Sequence, residues 1–274
     1  QQFKELGISE QTIEDQLEKF RNGFPPSILR EAAIEGNGLM VPDKEDTNQF
    51  IKYYEAQKDQ YAIVKFVPAS GAATRMFKSL FAFLNQYTGS EEDYQNLISD
   101  QSEGSVYTFF KHLEKFAFYN DLKSKYAEIK GESLEEAQLK RKYKEIIEVL
   151  LLEDGLNYGN LPKGLLKFHT YNDTERTPVE EHMYEGVHYA QDKNKNVSMH
   201  FTVSPEHLDN FKKHVSEVKG KFEKEFGVTF KIDYSIQKKS TDTIAVDLEN
   251  EPFRNEDGSI LFRPAGHGAL LDNL

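Results

Sequence analysis

AIVKFVPASGAATRMFK, Ala62 to Lys78, is the stretch that decides the fold: an apolar run with strand character, the loop Ser70-Gly71-Ala72-Ala73-Thr74-Arg75, then the opening of a helix. Folds make phosphate sites in this way, because a loop of small residues brings backbone close to a ligand and the helix behind it presents free N–H groups to an anion. Nothing bulky stands in the loop before Arg75, whose planar cationic fork suits phosphate oxygens. Pro68 donates no ladder hydrogen bond and fits a strand end. Close strand–helix packing also asks for small residues, so the loop by itself leaves both readings open.

Outward from this unit, Met76, Leu80, Phe83 and Leu84 repeat at helical spacing and predict a helix to about Tyr87. Upstream, Ile13, Leu17 and Phe20 predict a helix over Ser9 to Phe20, ended by Phe24-Pro25-Pro26, and a second helix comes near Asn48 to Tyr54. Residues 1–60 thus read as a helical segment packed on the core of an α/β domain over 61–274. Between about 88 and 159 the pattern turns helical and charged, which predicts an inserted helical hairpin. Gly131 ends its first helix, and the capping-box pattern Ser133-Leu134-Glu135-Glu136 starts its second, long one. The Phe109 to Phe118 aromatic stripe is core. Beyond the insertion, Val197 to Val203 predicts a strand. Ser204-Pro205-Glu206 starts a helix that runs to Phe226 and stops at Gly227. Val228 to Tyr234 is the next strand, giving a strand–helix–strand unit of the parallel kind. Thr243 to Leu248 and Ser259 to Phe262 are further strands around a turn at Asn255 to Gly258.

With 274 residues the chain has room for one elaborated α/β domain or a domain with a large insertion. Its 34 basic and 46 acidic side chains give a net charge of −12, which argues against a non-specific nucleic-acid binder but allows a local phosphate site. The absence of cysteine excludes disulfides and thiolate chemistry, and no stretch is apolar and long enough for a membrane helix. Cytoplasmic localisation is the expectation. Gln1 at the start and the helix-like His267-Gly268-Ala269-Leu270-Leu271 near the end suggest a sequence trimmed at both ends.

The loop is neither a P-loop, since Phe77 rather than glycine precedes Lys78-Ser79, nor the G-x-G-x-x-G dinucleotide fingerprint. It is close to G-G-x-G-T-R, the opening signature of sugar-nucleotide pyrophosphorylases. Pro162-Lys163-Gly164-Leu165-Leu166, with the Thr177-Pro178 helix start after it, resembles the P-K-x-L-L element of the same superfamily. Pro264-Ala265-Gly266-His267-Gly268 resembles its P-G-H-G element. With three elements in order, the chain resembles a nucleotidyltransferase of GT-A-like fold, nearest the UDP-sugar pyrophosphorylase type, over about Ala62 to Leu274 minus the insertion. The resemblance implies a mostly parallel Rossmann-like sheet flanked by helices. It implies that Ser70, Gly71, Ala72, Ala73 and Thr74 form the nucleotide loop, that Arg75 holds the triphosphate and that Lys163 neutralises charge during transfer. Gly266, His267 and Gly268 would line base and ribose, with Gln237 as a pocket glutamine. The implied reaction joins a sugar-1-phosphate to a nucleoside triphosphate with loss of pyrophosphate, aided by Mg²⁺. Ser70 and Ala73 stand where the family has glycine, and the aspartate that completes the family's metal site falls beyond Leu274.

Other constellations are weaker. His182, Glu185 and His188 lack the H-E-x-x-H spacing, since the second histidine falls about 120° short of two full helical turns. His200, His207 and His214 read as structural or exposed, and Asp242 and Asp247 as strand-end polar residues. Two functions therefore stand: a nucleotidyltransferase, and a non-catalytic nucleotide-binding or regulatory protein on the same fold, whose helical insertion serves a partner.

Overall fold

The computed structural model describes residues 1–274 other than Ala72, Thr74 and Asp173, with His267 described by its backbone alone. In chain order the α-helices are α1 (Gln2–Leu6), α2 (Glu10–Asn22), α3 (Lys44–Gln57), α4 (Lys78–Gln86), α5 (Glu91–Ser99), α6 (Val106–Lys111), α7 (Tyr119–Lys130), α8 (Leu134–Leu139), α9 (Tyr143–Leu151), α10 (Pro178–Tyr189) and α11 (Leu208–Phe226). The strands are β1 (Ile34–Glu35), β2 (Gly38–Leu39), β3 (Val64–Pro68), β4 (His169–Tyr171), β5 (Thr174–Arg176), β6 (Asn196–Val203), β7 (Thr229–Ile236), β8 (Thr243–Ile244) and β9 (Phe262–Arg263). The class is α/β, with a three-stranded parallel sheet in the order β3-β6-β7. None of the described helices is long and apolar enough to cross a membrane.

Alternation along β6 explains the sheet. Val197, Met199, Phe201 and Val203 face one side and are buried with Val179, Met183 and Val187 of α10 and Phe211, Val215 and Phe222 of α11. Ser198 and His200, on the other face, are only half-buried. There Phe66 stacks on the His200 imidazole at 5.3 Å, and His200 Nε2 lies 2.8 Å from Ser235 Oγ. Of the two helices, α10 starts where its cap residue says it should, and α11 starts later than its Ser-Pro signal. The Thr177 side chain accepts from the Glu180 N–H while Glu180 reaches back, a complete capping box. Ser204-Pro205 leads through a short 3-10 turn into α11, which ends at Gly227 in the left-handed region.

The stretch expected to be a helical hairpin is instead a many-helix unit with its own core. Gly131 and the Ser133 cap behave as expected, but the helix after them breaks beyond Leu139. Arg141 takes a positive φ of 58° and the Lys142 N–H closes back on the Ala137 carbonyl at 2.9 Å. The reason is α9: Ile146, Ile147, Val149, Leu150 and Leu151 are all buried, too many for one stripe. A helix buried over so broad a face needs neighbours on several sides, and α4, α7 and α8 supply them. The helix after the small-residue loop therefore lies in this unit, through Phe77, Leu80 and Leu84, and not in the sheet core. It also begins later than its periodicity suggests, at Lys78, with no side-chain cap.

Two segments pass between the cores. Val67 and Ala69 belong to the sheet core and Ala73 and Phe77 to the helical core, so the loop crosses the seam. Leu165 packs on the sheet core and Leu166 lies in the helical one. In the N-terminal segment, α1 and α2 join a third cluster around Ile8, Ile13 and Ile244, whereas α3 has no buried residue.

Burial holds the imidazoles of His182 and His214 below their ordinary value of 6.5. As pH falls the unfolded chain takes up protons first, so the stabilisation is complete above 6.5 and is lost as pH drops through the lower folded values. Urea midpoints at about pH 7.5 and about pH 5.5 should show lower stability at the acidic value, and His214→Gln should flatten part of the slope.

Candidate functional site

Three parallel strands end together, and the segments beyond their ends converge. The β3 end leads into Ser70 to Arg75 and the β7 end into Gln237. The β6 end leads to Ser204, ahead of α11. Carboxyl ends of parallel strands are where open α/β sheets take ligands.

Lys163 opens a short 3-10 turn, Lys163–Leu165, after buried Pro162. Its N–H donates to the Gly71 carbonyl at 3.1 Å, which brings the second sequence element onto the first. Gly164 is what allows this approach to α11: a Cβ there would lie 2.9 Å from Cζ of the fully buried Phe211. At β7 the Gln237 N–H donates to the Val203 carbonyl at 3.0 Å, and its buried side-chain amide donates to the Ala265 carbonyl at 3.2 Å. That bond brings the third element to the carboxyl end of β7. Asn273 Nδ2 donates to Ser235 Oγ and the Ile236 carbonyl, and Lys238 Nζ to the Asp272 carbonyl, so the turn carrying Gly266 to Gly268 is tied to the strand end.

Ser70 is half-buried, while Gly71, Arg75, Lys163, Gly266 and Gly268 are exposed. Ala73 is fully buried, its methyl packed in the helical core, which gives a structural reason for alanine at a position where the resembled family has glycine. Ala72 and Thr74, also assigned to the loop, lie outside the described residues, as does the side chain of His267. Neither Arg75 nor Lys163 forms an ion pair among the described residues, whereas many other lysines do.

Glycine usage separates structural from open positions. At Gly155, Gly159, Gly164 and Gly186 a side chain would collide with neighbours. Gly71, Gly266 and Gly268 have neither a positive φ nor any described atom within 4 Å of an added Cβ. Nothing in the fold asks for glycine there, and each leaves backbone open to an approaching group.

Sequence reasoning passed over Ser204 as a simple helix cap. Its hydroxyl makes no capping bond and is buried without a partner among the described residues, at the end of the central strand. His207 Nδ1, on the same turn, is likewise buried and unpartnered. Asp242, downstream of Gln237, has a carboxyl held above its ordinary range by burial, with Glu206 adding to the effect. A Ser-Pro start whose serine does not cap was the missing signal, and only coordinates supply it.

The alternative metal constellation does not assemble. Glu185 is taken up by Lys65 and by His182 Nδ1 at 3.3 Å, and His188 packs against Tyr184 and Phe226. Burial pulls the Lys65 ammonium down, but its bonds to Glu185 and Tyr189 outweigh this and hold it above its usual value. Among the described residues no group of three or more His, Cys, Asp or Glu side chains is placed to hold a metal ion.

A family model described as a domain of unknown function (DUF4301) matches residues 1–274. The chain belongs to the DUF4301 family. No curated protein and no solved structure matches it.

Gly71→Ala should leave the unfolding midpoint where it is, since the added methyl meets open space. Gly164→Ala should cost about 1–3 kcal/mol by overpacking against Phe211, read by urea denaturation.

Proposed function

We propose that the protein is a nucleotidyltransferase of GT-A-like fold, nearest the UDP-sugar pyrophosphorylase type, acting on a nucleoside triphosphate, UTP first, and a sugar-1-phosphate. The observation that carries this reading is that the three separated elements lie beyond the carboxyl ends of the parallel strands, the first two joined by the Lys163–Gly71 hydrogen bond after β3 and the third held to the end of β7 by the Gln237–Ala265 bond. Open glycines in the first and third of them add support.

In this reading a sugar-1-phosphate oxygen attacks the α-phosphorus, a new P–O bond forms, and the bond to the β-phosphate bridge breaks to release pyrophosphate. Catalysis is a matter of positioning and of cations placed before charge develops on the phosphoryl oxygens. Arg75 holds the triphosphate and Lys163 takes the charge of transfer. The backbone at Ser70 to Thr74 cradles the phosphates, while Gln237 and the Gly266-His267-Gly268 turn line base and ribose. The family type implies Mg²⁺, but the described residues offer no cluster to hold it, so they do not fit a protein-ligated ion. Arg75 and Lys163 are the cations that this chain itself would bring to transfer.

That same lack of a ligand cluster favours a second reading, a non-catalytic nucleotide-binding or regulatory protein on this fold. Pyrophosphate release from UTP with a panel of sugar-1-phosphates separates the two. The first reading expects turnover, with Lys163→Ala lowering it by about 10²-fold or more while the circular dichroism spectrum is unchanged. Unchanged turnover in that variant overturns the assignment of Lys163. Thermal stabilisation by UTP, GTP, CTP or ATP without turnover selects the second reading.

A further inference from the structure

We propose that the helical unit carries a second ligand site, for a small uncharged molecule with an aromatic or aliphatic body. The site is the cavity between α4, the start of α6 and the Leu166 to Phe168 segment. Its volume of about 340 Å³ falls within the range of small-molecule sites, roughly 300–1,000 Å³. This inference does not depend on the nucleotide reading.

The walls are a connected set of rings. Phe109 meets Phe116 at 5.2 Å, Phe116 stacks on Phe118 at 5.1 Å and 16°, Phe118 meets Tyr158 edge-on at 5.4 Å, and Tyr158 reaches Phe77 at 6.3 Å. Such a wall offers both faces and edges to a planar or aliphatic body. Around the cavity three large apolar side chains stand well exposed: Met76 at 43%, Phe116 at 39% and Phe168 at 41%. Single exposed apolar residues need no explanation, but a rim of them around an aromatic cavity does.

Charge defines the ligand further. Lys167 is the lysine of the lining, and Asp121 at 2.7 Å and Glu175 at 3.8 Å already neutralise it. Glu103 sits exposed, in water. No free cation among the described lining residues therefore meets an anionic ligand, and the ring-lined interior would leave any buried charge uncompensated. Ser79 and His112 provide hydrogen bonds for one polar end.

The cavity also touches the candidate nucleotide loop. Met76 lines it, and the Met76 N–H donates to the Ala73 carbonyl at 2.9 Å, so an occupant bears directly on the loop's last turn. Gly104, at the opposite wall, has no positive φ and no described atom within 4 Å of an added Cβ. A large side chain there has room to enter the cavity.

The test is fluorescence titration of the whole chain with the uncharged probe N-phenyl-1-naphthylamine. Saturable one-to-one enhancement is expected, weakened at least about tenfold in Gly104→Trp and in Ser79→Trp. Each variant is compared only if its thermal midpoint matches the parent's, and either one suffices. The sulfonated analogue 1-anilinonaphthalene-8-sulfonate should bind more weakly than the neutral probe. Absence of saturable binding, undiminished binding in a folded variant, or tighter binding of the sulfonate overturns the proposal.

Discussion

Two chain segments cross between the two hydrophobic cores, and the hydrogen bond from Lys163 N–H to the Gly71 carbonyl joins them there. Each segment has apolar anchors on both sides. Val67 and Ala69 fix the first to the sheet and Ala73 and Phe77 to the helical unit; Leu165 and Leu166 do the same for the second. Burying a side chain the size of Val67, Phe77 or Leu166 contributes about 1.5–3 kcal/mol, so these anchors outweigh the single hydrogen bond of about 1 kcal/mol between the segments. The bond sets their register, and packing holds them there.

That arrangement has consequences for chemistry. The loop is anchored by Ala69 in the sheet core and by Ala73 and Phe77 in the helical core. It also links the candidate nucleotide site to the helical unit, because Phe77 is both the last residue of the turn after Arg75 and a wall of the aromatic cavity.

The sheet was legible because its signals are local. The two-residue alternation of β6 and the Gly227 stop each act within a few residues, and their bounds fall within a residue of the expected ones, whereas the α-helix after Ser204-Pro205 begins only at Leu208, beyond a 3-10 turn. The helical unit was not legible as a bundle. The break at Arg141 carries no glycine to mark it, and it exists because α9 is surrounded by α4, α7 and α8, a tertiary demand that overrides the apparent long helix. For the same reason α4 reads as a sheet-covering helix in sequence and lies in the other core. At the candidate site, Gly71, Gly266 and Gly268 have open space beside them. The uncapped hydroxyl of Ser204 left no trace in sequence, since a serine before proline is ordinarily a cap.

Hydrogen–deuterium exchange with and without saturating UTP tests the central claim most directly. A single nucleotide site at the strand ends predicts slower exchange together in residues 69–75, 161–165 and 264–268, three stretches far apart in sequence and joined only by the fold. Unchanged exchange in all three with UTP bound, or protection confined to another face, would contradict it.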